Sequence, residues 1–182
     1  QNYAIPPLAR AELGAERIRF IESMPDALSL RFRDAQPIRI AHGTPYSVWE
    51  SLFPDSSQQD IEAFLVNTPE KTIICAHTHI ALDRFVGDRH IINPGSVGVP
   101  LDGQFSASYM ILEGDHSGWQ VQHHRRVSFD YAPIYEEFER LHYVERGGLQ
   151  ARLVIEEFRT ARVQVYPFYQ WAGHHHPGVP PT

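Results

Sequence analysis

The sequence predicts an α/β protein, and three observations carry that prediction. Two short, continuous apolar runs, 72–76 and 89–92, have the length and composition of strands buried on both faces. Segments with apolar residues at helical spacing stand before, between and after the other strand-like runs. Histidines follow the ends of apolar runs, which is where an open α/β sheet gathers its ligands.

Taken in order, 8–23 places Leu8, Leu13, Ile18, Phe20 and Ile21 near helical spacing and stops before Pro25, so it reads as a helix. Residues 27–33 alternate through Leu28, Leu30 and Phe32, and 38–41 is a second apolar run after Pro37, which predicts two strands in a hairpin. Between Phe53 and Thr68, Ser56 and Ser57 supply helix-start chemistry while Ile61, Phe64 and Leu65 supply an apolar face. The core strands 72–76 and 89–92 should be joined by a turn. Residues 106–112 and 119–127 alternate around a 114–118 turn and should continue the sheet as a meander. Helices are predicted over 131–145 and 149–159, on either side of Gly147 and Gly148, and 174–182 reads as a disordered, proline-rich tail.

With 182 residues and 42% hydrophobic content the chain suits one core, so residues 1–173 are expected to belong to a single domain. A net charge of -6, from 22 acids against 16 lysines and arginines, gives no basic surface for nucleic acid. The single cysteine, Cys75, lies in an apolar run, which fits a reducing compartment and predicts the cytoplasm. No apolar run approaches the roughly 20 residues of a membrane span, and the order of a signal peptide is absent from the first residues. Gln1 stands where methionine would start a chain, so the sequence reads as continuing upstream.

The strongest chemical signal is Ala76-His77-Thr78-His79, directly after a buried strand. At a strand-to-loop junction the two imidazoles can turn toward one centre, and neutral imidazole suits zinc, iron, nickel, cobalt or manganese. The bland alternative is a solvated or hydrogen-bonded pair. Ile40-Ala41-His42-Gly43 repeats the arrangement on another strand, with a glycine that permits a sharp turn. Asn93, Gly95 and Ser96, after the 91–92 run, can offer backbone N–H groups and a hydroxyl to an anion, although a plain tight turn explains the same residues.

His-Gly after one strand, His-Thr-His after the next and Asn-Pro-Gly-Ser after a third together resemble the calcineurin-like metallophosphoesterases, closest to their small bacterial and archaeal branch. The match continues through 106–109 and 125–130, and the family usually has glycine where this chain has Ala76. The resemblance implies an α/β/β/α sandwich lacking its first N-terminal strands and helices. It implies that His42 and His77 bind one divalent ion and His79 its neighbour, with Asn93, Gly95 and Ser96 on the substrate side. Two ions, Mn, Fe, Ni, Co or Zn, would supply hydroxide for hydrolysis of a phosphodiester or phosphomonoester. The family's aspartate ligands and the histidine acid belong to motifs upstream of the matched part. A small phosphoester or nucleotide is the implied substrate, and homodimerisation is also implied.

Two other readings remain open at this stage. One is a noncatalytic binding or scaffold domain that keeps the fold. The other is a structural mononuclear site closed by Asp83 or Asp102. Tyr46 and Trp49 can line a substrate edge or simply pack. His90, His116, His123, His124 and His142 are expected at the surface or in hydrogen bonds, and His174, His175 and His176 outside the site.

Overall fold

In the computed structural model, which describes residues 5–175, the apolar runs at 72–76 and 89–92 become hydrogen-bonded neighbours. They lie in a five-stranded sheet made of β1 Ala27–Leu30, β2 Ile38–Ala41, β3 Thr72–Ile74, β4 Leu82–Val86 and β5 Arg89–Asn93. The spatial order is β1-β2-β3-β5-β4. β2, β3 and β5 are parallel, with Ile38 beside Thr72 and Thr72 beside His90, and the antiparallel strands β1 and β4 occupy the edges. The three central strands therefore end along one edge of the sheet.

Burial explains which runs became central. Ile73 and Ile91 are fully buried, and Leu52, Ile61, Leu65, Cys75, Leu82 and Val86 complete the core around them. Ile61 belongs to helix α2, Gln58–Phe64, whose start is fixed by Ser57: its hydroxyl oxygen accepts the Asp60 N–H at 3.1 Å. The predicted 27–41 hairpin is present as the β1–β2 pair. The segment between β3 and β5, expected as a turn, contains β4. Asp83 interrupts its apolar pattern on the exposed face, and Arg84 interrupts it on the face of Leu82 and Val86, where its guanidinium donates to Ser56 O at 2.7 Å.

The meander expectation is also corrected. β6 Ala107–Asp115 and β7 Gly118–Val127 pair with each other as a separate two-stranded sheet. Single bonds link this hairpin to the rest of the 25–128 unit, among them Ser108 N–H to Ser96 O at 2.9 Å and Trp119 Nε1–H to Gln36 O at 2.8 Å. Its turn is His116-Ser117, closed by Asp115, whose carboxylate accepts the Ser117 N–H at 2.7 Å.

The chain divides into two compact units, 25–128 and a helical unit formed by the residues before 25 and after 128. In the helical unit α1, Ile5–Glu22, is broken at Gly14, where φ is 75°. The helix expected over 131–145 is instead α3, Ala132–Arg140, and the beginning of α4, Tyr143–Thr160, separated at His142 with φ 48°. The predicted interruption near Gly147 and Gly148 is a break inside α4 at Gly148. Phe138 stacks on Tyr143 at 4.9 Å and meets Phe158 edge-on at 5.3 Å. A further helix, α5 Val165–His175, follows; the buried Glu157 carboxylate accepts the N–H groups of Gln164 and Val165 at its start. Of the expected disordered tail, His174 and His175 are the last residues of α5, and 176–182 lie outside the described residues. No helix among the described residues is long and apolar enough to cross a membrane.

Two predictions follow from this packing. Ile91→Ala should lower unfolding free energy by about 3 kcal/mol, measured by urea denaturation, because it empties a fully buried site on the central strand. The second concerns Glu70, which is 4% exposed. Burial alone would raise its pKa, but the Ser29 hydroxyl at 2.5 Å, its own backbone N–H and the Arg39 guanidinium at 3.2 Å hold it below the usual value. A depressed folded-state value contributes stability above about pH 4.5 that is lost as pH falls through the folded value. Glu70→Gln should therefore destabilise the chain at pH 7 by about 2 kcal/mol and show a shallower loss of stability in acid.

Candidate metal centre

The carboxyl edge of β2, β3 and β5 carries the predicted histidines. Two backbone bonds extend the ladders past the strand ends: Cys75 N–H to Ile92 O and Ala76 N–H to His42 O, both 2.8 Å. The second brings the exits of β2 and β3 together, so the imidazoles of His42 and His77 meet. His77 Nδ1 lies 2.9 Å from His42 Nε2, with the rings edge to face at 4.9 Å. Two nitrogens bound to one ion at about 2.1 Å would stand about 3.0 Å apart at octahedral angles and about 3.4 Å apart at tetrahedral ones. The observed separation is thus close to that of two ligands on a common cation.

Folding disfavours the charged form of His77. Burial, then the nearby imidazoles of His42 and His79, lower its pKa from 6.5, because each disfavours a positive charge at that position. At 2.9 Å the two nitrogens can share one proton, and a cation can replace that proton.

His79 is oriented differently. Its Nδ1 lies 2.8 Å from the Val99 carbonyl, which only accepts, so Nδ1 carries the hydrogen and Nε2 keeps its lone pair. A backbone carbonyl on one imidazole nitrogen, with the other left free, is the arrangement that fixes metal-ligating histidines. The backbone bears a cost for these orientations. His77 and His79 have φ of 66° and 58°, a left-handed region that costs non-glycine residues about 1–2 kcal/mol each.

Neighbouring loops close around this edge. Gly43 is required by close approach: a Cβ there would stand 2.3 Å from Glu50 O and 2.6 Å from Ser47 O. Asn93 is fully buried, and its side chain bonds Ala76 O, Thr78 Oγ1 and Gly95 N–H. Ser96 Oγ accepts the Val99 N–H at 3.0 Å. Gly95 has φ of 82° and packs against Ser108. Tyr46 and Trp49 expose their rings, Trp49 at 84%, and the Tyr46 hydroxyl donates to Val66 O at 2.6 Å.

The other candidates are engaged elsewhere. Asp83 bonds His90, and Asp102 pairs with Arg126, so neither joins the three histidines. Among the described residues no group of three or more histidine, cysteine, aspartate or glutamate side chains converges as a metal cage. The donor set fits imidazole-preferring divalent ions at His42 with His77 and at His79, and it needs further ligands for either ion. His90 is buried, with Nδ1 on Trp119 O at 3.0 Å, Nε2 on Asp83 at 2.6 Å and Phe85 stacked at 4.0 Å. His124 Nε2 lies 2.7 Å from Ser108 Oγ, whose own hydrogen goes to Pro94 O, so that serine is no nucleophile. A cavity of about 410 Å³ lies at the opposite edge of the sheet, between Lys71, Phe85, His90 and Trp119, and contains no predicted site residue. Burial pushes the Cys75 thiol up to about 12, which leaves it inert.

No protein-family model matches the chain. An uncharacterized protein of Methanocaldococcus jannaschii is 29% identical over 136 residues, covering 67% of this chain and 53% of that protein. The chain thus spans about half the length of this curated relative. A hypothetical protein from Pyrococcus horikoshii superposes with a TM-score of 0.66 at 17% identity, over 84% of this chain and 57% of that one. A metallophosphoesterase from Sphaerobacter thermophilus superposes with a TM-score of 0.61 at 22% identity, over 83% of this chain and 65% of that one. The chain shares with that metallophosphoesterase a mixed α/β fold built on a central mixed sheet.

Proposed function

We propose that this chain carries part of the active centre of a metal-dependent phosphoesterase that hydrolyses phosphodiester or phosphomonoester bonds in small molecules or nucleotides. One observation carries the reading: His42 Nε2 and His77 Nδ1 converge at 2.9 Å where two parallel strands end. The likeness to a solved metallophosphoesterase supports it at the level of fold. In this reading His42 and His77 hold one ion, His79 offers Nε2 to a second, and carboxylate ligands with the general acid come from residues outside this sequence. Bound divalent ions supply charge neutralisation at phosphoryl oxygens and acidify water. The protein's part is positional. The strand exits fix the ligand spacing, the Val99 carbonyl fixes the His79 tautomer, and Gly95 and Ser96 stand on the substrate side, whereas the fully buried Asn93, expected there from the sequence, does not reach it. The buried Cys75 suits a reducing cytoplasm.

The test is Co²⁺ or Mn²⁺ binding by calorimetry, with hydrolysis of a chromogenic phosphodiester, for this chain and for its gene product extended upstream. His77→Ala should weaken binding of the first ion more than tenfold and abolish turnover in the extended protein. Binding and hydrolysis absent from both proteins would replace this reading with a noncatalytic binding or scaffold domain of the same fold. A stability measurement checks the neutral imidazole separately. Because folding lowers the His77 pKa, the unfolded chain binds more protons there below pH 6.5, and the folded state loses stability as pH falls. Relative to wild type, metal-free His77→Ala should gain in urea midpoint as pH falls below about 6.5; an unchanged difference would contradict the assignment.

A further inference from the structure

The loop that presents His77 and His79 is held in its left-handed course by a side chain with no exposure to solvent. Asn93 ends β5 and is 0% exposed. Its two amide hydrogens go to Ala76 O at 2.8 Å and Thr78 Oγ1 at 3.0 Å, and its Oδ1 accepts the Gly95 N–H at 2.9 Å. Thr78, between the two histidines, is 5% exposed, and its hydroxyl oxygen also accepts the Ile80 N–H at 3.4 Å. With Ala76 and Thr78 pinned to the exit of β5, the intervening and following residues sit at φ of 66° and 58°. The buried amide thus makes that course obligatory for side chains that avoid it.

We propose that Asn93 is the positioning residue of the histidine centre. It sets the direction of His77 toward His42 and of His79 toward Val99, so imidazole tautomer and cation affinity depend on an amide that touches no ion. The affinity part rests on the metal reading above; the tautomer part stands in the metal-free chain. A residue that merely filled the core would, when removed, loosen the unit without singling out these two rings.

The experiment compares the full chain with Asn93→Ala and Thr78→Val, by long-range ¹H–¹⁵N spectra of the metal-free imidazoles followed by Co²⁺ titration. Wild type should show His79 as one Nδ1–H form. In Asn93→Ala, His77 and His79 should shift to mixed tautomers while His90, at the opposite edge of the sheet, keeps its spectrum. Co²⁺ affinity should fall roughly tenfold to a hundredfold. Thr78→Val removes a single acceptor and should move the same two rings less, which decides the matter if Asn93→Ala does not fold. Unchanged His77 and His79 spectra, or a His90 spectrum that changes alongside them in both variants, would overturn the proposal. Responsive tautomers in a wild type that binds no Co²⁺ would sink the metal reading and leave the positioning role standing. Equal Co²⁺ affinity in wild type and both folded variants would overturn the claim that Asn93 sets cation affinity.

Discussion

Two hydrogen bonds beyond the formal ends of the strands, Cys75 N–H to Ile92 O and Ala76 N–H to His42 O, hold the exits of β2, β3 and β5 at one level. Register makes this possible. The fully buried Ile73 and Ile91 pair across β3 and β5, and a slip of one residue would turn Ile91 to the opposite face of the sheet and out of the core cluster it shares with Ile73. The core therefore specifies where each strand stops and, through that, which side chains meet. His42 and His77 are 35 residues apart in the chain, yet their nitrogens come within 2.9 Å because the ladder continues past both strands.

Hydrogen bonding separates the histidines by role better than burial does. His90 is more buried than His77 or His79, but a carbonyl and a carboxylate occupy both of its nitrogens, so neither is open to a cation. His79 uses one nitrogen on a backbone carbonyl and keeps the other free. His42 and His77 spend a nitrogen each on one another, in a contact that a cation can take over without rearranging the strands. The carboxyl edge thus keeps ligand capacity in reserve, while the amino edge uses its histidine as a structural link between β5 and β7.

Much of this was legible because the sequence places histidines at the ends of apolar runs. The central strands and the β1–β2 hairpin followed from runs such as 72–76 and 38–41, where burial and composition agree. β4 was hidden because Asp83 and Arg84 put a polar residue on each face of the strand, so its pattern resembles a turn. The separate β6–β7 sheet could not be read from alternation, since alternation reports a half-buried strand and says nothing of its partner. α5 was missed for a related reason: its start is capped by Glu157, a residue eight positions before Val165, and not by a local signal. Within the centre, the three histidines at the strand exits were visible, but the left-handed backbone was not, because histidine has no preference for it. The buried bonds of Asn93 belong to tertiary structure, and so does the need for glycine at position 43, which arises from the returning 47–50 backbone.

The central claim is that the exits of β2 and β3 form a site for a divalent cation. Anomalous diffraction from crystals soaked in Mn²⁺ or Zn²⁺ and measured at the metal's absorption edge tests it most directly. The account predicts a peak within about 2.1 Å of both His42 Nε2 and His77 Nδ1. Full occupancy only at His174 and His175 on α5, with the His42–His77 contact still intact, would contradict it.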